Sequence, residues 1–318
     1  MTGASEASVE RFRHEALFYS NSSEFITGTI PFIRDGLAAG DHVLVVEMPE
    51  KIRLLREALG RDADKILFRD MSEVGANPAR IIPAWKDFVD QNAGSGRSLR
   101  GIGEPIWTGR PPDELAECQL HESLLNVAFG NGRPWSLLCP YSTAELDPAV
   151  IEEARRSHEF VAEQGAFRKS EGFRGIESCG AHFSAPLSRP SSVIGEITIK
   201  PGNLRSARAL VEYQAVAAGL SERSASKMVT AVNEVATNSI LHGGGAGRIR
   251  MWRDANKLIC EIADKGTFDS PLADRQRPGP NPSSPRGLWL SNQLCDLVQI
   301  RTFPEGTVVR LHMRLASA

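Results

Sequence analysis

Short apolar runs bounded by turn residues, alternating with amphipathic segments of helix length, dominate the first half of this chain. His42-Val-Leu-Val-Val-Glu47 is the clearest run, and near-continuous hydrophobicity over strand length marks a strand buried on both faces. Ile66–Phe68, Leu99–Ile102 and Trp135–Cys139 repeat the pattern. Between them, Ser22–Leu37, Lys51–Leu59, Pro78–Asn92 and Asp113–Phe129 carry helical spacing, for example Phe25, Ile26, Ile30, Ile33 and Leu37. Gly36 and Gly40 are expected to end the first helix, and 147–165 reads as a charged helix. Strands alternating with helices predict an α/β unit with a mainly parallel sheet.

The second half reads differently. Val193–Ile199 alternates as a strand, and helices follow over Leu204–Ala218 and Ser221–Leu241, with Ser221 as candidate cap. Strands over Arg248–Arg253, Lys257–Ala263, Leu297–Thr302 and Thr307–Leu315 come next, with a helix at Gly287–Cys295. That order predicts an α+β sandwich with helices on one face of a mixed sheet. The chain has 318 residues, enough for two domains. We place an α/β domain at 1–165, a Gly/Ser/Pro-rich linker at 166–192 and the α+β domain at 193–318.

Charge separates the halves too. Residues 1–190 hold 21 Lys+Arg against 28 Asp+Glu, and residues 191–318 hold 16 against 11. The near-neutral total of −2 excludes nucleic-acid binding through bulk charge, while the basic rear half suits a polyanionic ligand. No apolar segment approaches the ~18 residues of a membrane span. The opening MTGASEASVERFRHE lacks the apolar core of a signal peptide, so a cytoplasmic protein without membrane contact is expected. Five scattered cysteines (Cys118, Cys139, Cys179, Cys260, Cys295) fit reduced thiols better than a disulfide framework or a zinc cluster.

The stretch Ala231-Val-Asn-Glu-Val-Ala-Thr-Asn-Ser-Ile-Leu-His-Gly243 carries the most chemistry. Glu234, Asn238 and His242 recur every fourth residue and share one helix face. A carboxylate can act as general base, and an amide oxygen suits Mg²⁺. On spacing alone, a solvent-facing polar stripe above a glycine-rich helix stop explains the same residues. Two later features add to it. Asp264-Lys-Gly266 ends an apolar strand, where an Asp can accept an adenine N–H beside a side-chain-free Gly. Residues 267–285 then carry five prolines (Pro271, Pro278, Pro280, Pro282, Pro285) in a loop of lid length, leading into Arg286-Gly287 at a helix start.

Glu234-x-x-x-Asn238, Asp264-x-Gly266, the lid, Arg286-Gly287 and Gly306-Thr307 follow in one order. The order resembles the histidine-kinase/gyrase/Hsp90/MutL type of ATP-binding domain, and within it the anti-sigma-factor serine kinases. The resemblance implies ATP and Mg²⁺ as cofactors, Glu234 as catalytic base and Asn238 as the metal ligand. It implies Asp264 on the adenine amino group, Gly266 and Thr307 beside it, and Gly287 in the phosphate box. Arg286 and His242 complete the implied cofactor-binding set. Gly287-Leu-Trp289 carries one glycine where that family has G-x-G.

The front region resembles the MEDS sensory domain of methanogen and methylotroph regulators. The carrying segments are His14-Glu-Ala-Leu-Phe-Tyr19, Gly36-Leu-Ala-Ala-Gly-Asp41, Gly103-Glu-Pro-Ile-Trp107, His121-Glu122 and Cys139-Pro-Tyr141. The Gly36–Asp41 segment is also similar to RecA-like folds, but without GxxxxGK[ST] no second nucleotide site is assigned. The domain order resembles RsbA-type anti-sigma regulators. That implies a bacterial stress-response regulator of transcription that binds a sigma factor and phosphorylates Ser/Thr of an anti-sigma-factor antagonist. A small-molecule signal in the N-terminal domain and a homodimer are further expectations, and no nucleic acid is contacted directly. The alternatives are a sensor histidine kinase and a non-catalytic, ligand-responsive binding module.

His14, Glu104, His121 and Cys139 are candidates for a ligand or metal pocket in the front domain, though their dispersal gives no ligand spacing. Trp107 and Trp135 read as packing residues. His158-Glu159 invites a phosphoacceptor reading, which the following Phe160-Val-Ala does not continue.

Overall fold

The computed structural model describes residues 11–163, 166–175, 177–190, 192–268, 270–279 and 286–315. Contacts divide the chain into two units, Met1–Cys179 and Gly180–Ala318.

Unit 1 is built on a seven-stranded sheet in the order β3-β2-β4-β5-β1-β6-β7. The strands are β1 (Arg13–Tyr19), β2 (His42–Glu47), β3 (Leu67–Asp70), β4 (Leu99–Gly103), β5 (Ser136–Ser142), β6 (Phe160–Glu163) and β7 (Ala166–Lys169). The helices are α1 (Ser22–Ala39), α2 (Pro49–Leu59), α3 (Met71–Val74), α4 (Ile81–Gln91), α5 (Pro112–Phe129) and α6 (Pro148–Ser157). Adjacent strands from β3 to β6 pair in parallel because each return passes through a helix, and β7 turns back antiparallel on β6. Phe25 and Ile33 of α1 pack with Leu55 of α2 against Val45, Ile102 and Leu138 on one sheet face.

Three features depart from the sequence reading. The central strand β1 hides behind the polar start Arg13-His-Glu15, yet Glu15 is buried. The helix expected over 147–165 stops at Ser157, because His158 is extended (φ −110°, ψ 128°) and feeds β6. Gly36 does not end α1. The helix runs on to Gly40, whose φ of +81° is open to glycine, and a Cβ at Gly36 would meet Arg100 Cδ at 2.7 Å. Gly36 makes room for Arg100, whose Nε donates to Asp41 Oδ2 at 2.8 Å.

The stretch read as a linker carries β7 and a short helix, α7 (Glu177–Phe183). Unit 2 then has β8 (Gly195–Ile199), α8 (Leu204–Ala217), α9 (Glu222–Leu241), β9 (Gly247–Asp254), β10 (Lys257–Asp264), α10 (Gly287–Leu294), β11 (Leu297–Phe303) and β12 (Gly306–Arg314). The sheet order is β11-β12-β10-β9-β8, and each of these pairings is antiparallel rather than mixed. Two helix passes between β8 and β9 return the chain to the end it left, so β9 runs back along β8; one helix would have made the pair parallel.

Val211, Met228, Val232 and Val235 pack from the helices onto Ile249, Met251, Leu258, Cys260, Ile262 and Leu311. Each such side chain contributes about 1.5–3 kcal/mol relative to exposure. Strand alternation continues the series Leu258, Cys260, Ile262 to Asp264, so the carboxylate ends up on the helix side of the sheet. Among the described residues no helix is long and apolar enough to cross a membrane.

Candidate nucleotide site and a buried polar cluster

Helix α9 organises the site in unit 2. Its N-cap is Ser221, whose Oγ accepts the Ser224 N–H at 3.2 Å, worth about 1 kcal/mol to the helix. Its apolar face is spent on the sheet, which leaves Glu234 and Asn238 half-buried at the margin and His242 exposed at the C-cap. Helix α10 begins at Gly287 directly against them. A Cβ at Gly287 would lie 3.1 Å from Asn238 Nδ2 and 3.3 Å from Glu234 Oε2. The first-turn N–H groups of a helix have no intrahelical partners and favour anions, so a carboxylate, an amide and an anion-seeking helix start meet here. Arg286, just before Gly287, is exposed, and its Nη2 donates to the Gly279 carbonyl at 3.4 Å.

The second group lies at the end of β10. Ser239 Oγ donates to Asp264 Oδ2 at 2.6 Å, and the Gly266 N–H donates to Oδ1 at 2.8 Å. Thr307 stands opposite Asp264 in the β10–β12 register, and its Oγ1 donates to the Gly266 carbonyl at 2.8 Å. Side chains are excluded around this carboxylate. A Cβ at Gly243 would come within 2.4 Å of Asp264 Cγ, and Gly306, at φ +139°, would bring one within 1.9 Å of the Asp264 carbonyl. Asp264 is thus held as a fixed acceptor. Ser239 and Gly243 were not singled out from the sequence, although both lie in the stretch that carries Glu234 and Asn238.

The proline-rich stretch is partly described: 269 and 280–285, with Pro280, Pro282 and Pro285, lie outside the described residues. Its start is fastened to α10, where Asn292 Nδ2 donates to Asp274 Oδ2 at 3.0 Å and to the Asp274 carbonyl at 3.1 Å. The donor set fits a magnesium–nucleotide group: oxygen ligands at Glu234 and Asn238, backbone N–H groups at α10, and a fixed carboxylate beside side-chain-free glycines. A separate concavity of about 690 Å³, lined by Arg248, Arg250, Glu261 and Arg310 among others, holds none of these residues.

In unit 1 the four pocket candidates separate. Glu104 accepts a hydrogen bond from Tyr19 Oη at 2.9 Å and pairs with Lys51. Glu47 is buried beside it; burial, then the Glu104 charge, raise its carboxyl well above the usual range. His121 is buried too. His14 and Cys139 do come together, joined by Glu122 and His158, which the sequence reading did not place there. Burial, then the neighbouring His158, lower His14 to about 4. Burial alone would raise Glu122, but the His14 and His158 rings that face it prevail and hold the carboxyl low. His158 has no exposed surface, which excludes it as a phosphoacceptor for an external kinase site.

Helices over one face of an antiparallel sheet make unit 2 an α+β domain, which follows the α/β domain along the chain. Residues 197–313 match the family described as histidine kinase-like ATPase domain, and residues 13–159 match MEDS, the MEthanogen/methylotroph, DcmR Sensory domain. The chain therefore carries a MEDS domain followed by a histidine kinase-like ATPase domain. It is also similar to the crystal structure of the RsbU and RsbW domains of Rv1364c from Mycobacterium tuberculosis, at 16% identity and a TM-score of 0.30. That match covers 39% of this chain and 33% of the other. No curated protein matches the chain.

Proposed function

We propose that this chain is a cytoplasmic, signal-responsive anti-sigma regulator whose ATPase domain phosphorylates Ser or Thr of an anti-sigma-factor antagonist. The observation that carries the reading is the meeting of Glu234, Asn238 and the start of α10 at Gly287. Asn238 holds Mg²⁺ through its amide oxygen, and the N–H groups after Arg286 receive the phosphates. Asp264, fixed by Ser239 and Gly266, takes the adenine amino group. Bound ATP and Mg²⁺ supply an activated γ-phosphoryl group with its charge partly neutralised. Glu234 accepts the proton of the attacking hydroxyl as its oxygen bonds to the γ-phosphorus and the bond to the β-phosphate oxygen breaks, leaving ADP. Positioning and electrostatics provide most of the rate. Sigma-factor binding and a small-molecule signal in the MEDS domain complete the partner-switching scheme.

The test is transfer of label from γ-labelled ATP to candidate antagonist proteins. Acid-stable label on the antagonist, lost in Glu234→Gln with ATP binding kept, supports the reading. Acid-labile label on this chain makes it a histidine kinase, and neither label nor binding makes it a binding module. Asn238→Ala should abolish the Mg²⁺ dependence of ATP binding; unchanged dependence removes Asn238 as the metal ligand.

A further inference from the structure

The polar cluster in unit 1 is built from four separate elements. His14 lies on β1 and Cys139 on β5; Ala16 pairs with Cys139, so both side chains project to the same sheet face. Glu122 comes from α5, and His158 from the C-cap of α6. All four residues are buried, and their donor atoms lie within 4.8 Å of one another.

The second ring nitrogens set the chemistry. Asn126 Nδ2 donates to the Ser157 carbonyl at 2.7 Å, which turns its Oδ1 toward His14 Nδ1 at 3.2 Å. His14 Nδ1 is therefore the protonated nitrogen. His158 Nδ1 sits 2.8 Å from the Ala154 carbonyl and is protonated for the same reason. Each Nε2 then carries the lone pair. Both point at one carboxylate oxygen: His14 Nε2 is 3.1 Å from Glu122 Oε2, and His158 Nε2 is 3.3 Å from it. Among the described residues, His158 Nε2 has no hydrogen-bond partner. Cys139 Sγ is 3.4 Å from His14 Nε2, and its thiol proton can satisfy one lone pair but not both. Protonating both rings instead would bury two cations with ring centroids 3.9 Å apart.

A positive centre among the four atoms resolves the conflict. We propose that His14 Nε2, Glu122 Oε2, Cys139 Sγ and His158 Nε2 bind one divalent transition-metal ion of the zinc class. Ligand atoms around a tetrahedral zinc ion sit ~3.4 Å apart, given bonds of about 2.0–2.3 Å. The 3.1, 3.3 and 3.4 Å spacings above match that value, and all four atoms stay within 4.8 Å of one another. One thiolate and one carboxylate neutralise the dication, which suits a site without solvent. Four protein ligands leave no open position, so the ion is structural, holding β1, β5, α5 and α6 together. Binding releases the Cys139 proton. Asn126 and the Ala154 carbonyl are the outer partners that orient the two imidazoles.

The test uses the full chain purified without chelator, its metal content, and reloading with Co²⁺. We expect one ion per chain, a thiolate-to-cobalt charge-transfer band, and a lower melting temperature after chelation. Cys139→Ser should lose the band, and Cys118→Ser, a buried thiol outside the cluster, should keep it. Asn126→Ala should weaken binding about 10–100-fold. A band retained in folded Cys139→Ser overturns the proposal. If that variant does not fold, the unaltered chain decides: metal content below stoichiometric, with a melting temperature unmoved by chelator or added Zn²⁺, overturns it equally.

Discussion

Gly287 abuts Asn238, leaving only 3.1 Å between the place a Cβ would take at Gly287 and Asn238 Nδ2. Alanine is about 1 kcal/mol better than glycine inside a helix, so Gly287→Ala should not destabilise α10. The methyl has to push aside Asn238 or Glu234, and overpacking of this kind costs about 1–3 kcal/mol. The cost falls on the groups assigned to magnesium and phosphate. ATP affinity measured by calorimetry should drop about tenfold while the melting temperature holds. Unchanged affinity would take the start of α10 out of the phosphate site.

Ser239→Ala tests the other end of the site. It removes the 2.6 Å hydrogen bond to Asp264 Oδ2, and bonds to charged groups contribute about 1.5–3 kcal/mol. Because Asp264 is assigned to the base, ATP and ADP affinities should fall together, by about tenfold, with Mg²⁺ dependence kept. A loss confined to ATP would move Asp264 from the base to the phosphates.

Much of this was legible in the sequence because it obeys period. The run Leu258, Cys260, Ile262 announces both a strand and the face on which Asp264 emerges. The four-residue spacing of Glu234 and Asn238 places them on one helix face whatever the tertiary structure. What period cannot carry stayed hidden. β1 begins with Arg13-His-Glu15, whose burial depends on partners more than 100 residues away. Glu122 and His158 join His14 and Cys139 through sheet order, which no local spacing encodes. Gly36 reads as a helix stop but is a packing glycine, because Arg100 approaches it from strand β4.

Glu261 on the other face of the unit 2 sheet is the counter-ion of two arginines. Arg310 Nε donates to its Oε2 at 2.9 Å and Arg250 Nε to its Oε1 at 3.1 Å. Arg310 also stacks over Trp252, 5.0 Å from the ring centroid, and donates to the Ser188 carbonyl. Breaking a buried pair from one side costs about 3–5 kcal/mol, because the other charge stays behind. Glu261→Ala should lower the urea midpoint accordingly, read by tryptophan fluorescence, and Glu261→Gln should lower it less. A midpoint unchanged in Glu261→Ala would show that solvent already neutralises both arginines.

Glu47 makes the stability of unit 1 depend on pH. Burial, with Glu104 adding to it, raises its carboxyl above the ordinary range, so the folded chain holds a proton that the unfolded chain has released. Stability from this group is complete below the unfolded value of about 4.3 and is lost as pH rises through the folded-state value. Glu47→Gln keeps a neutral side chain at every pH. The variant should match the parent near pH ~4 and melt at a higher temperature near pH ~8, flattening the alkaline decline. Melting temperatures for both chains across that range are the measurement. Parallel curves would mean that another group, not Glu47, holds the extra proton.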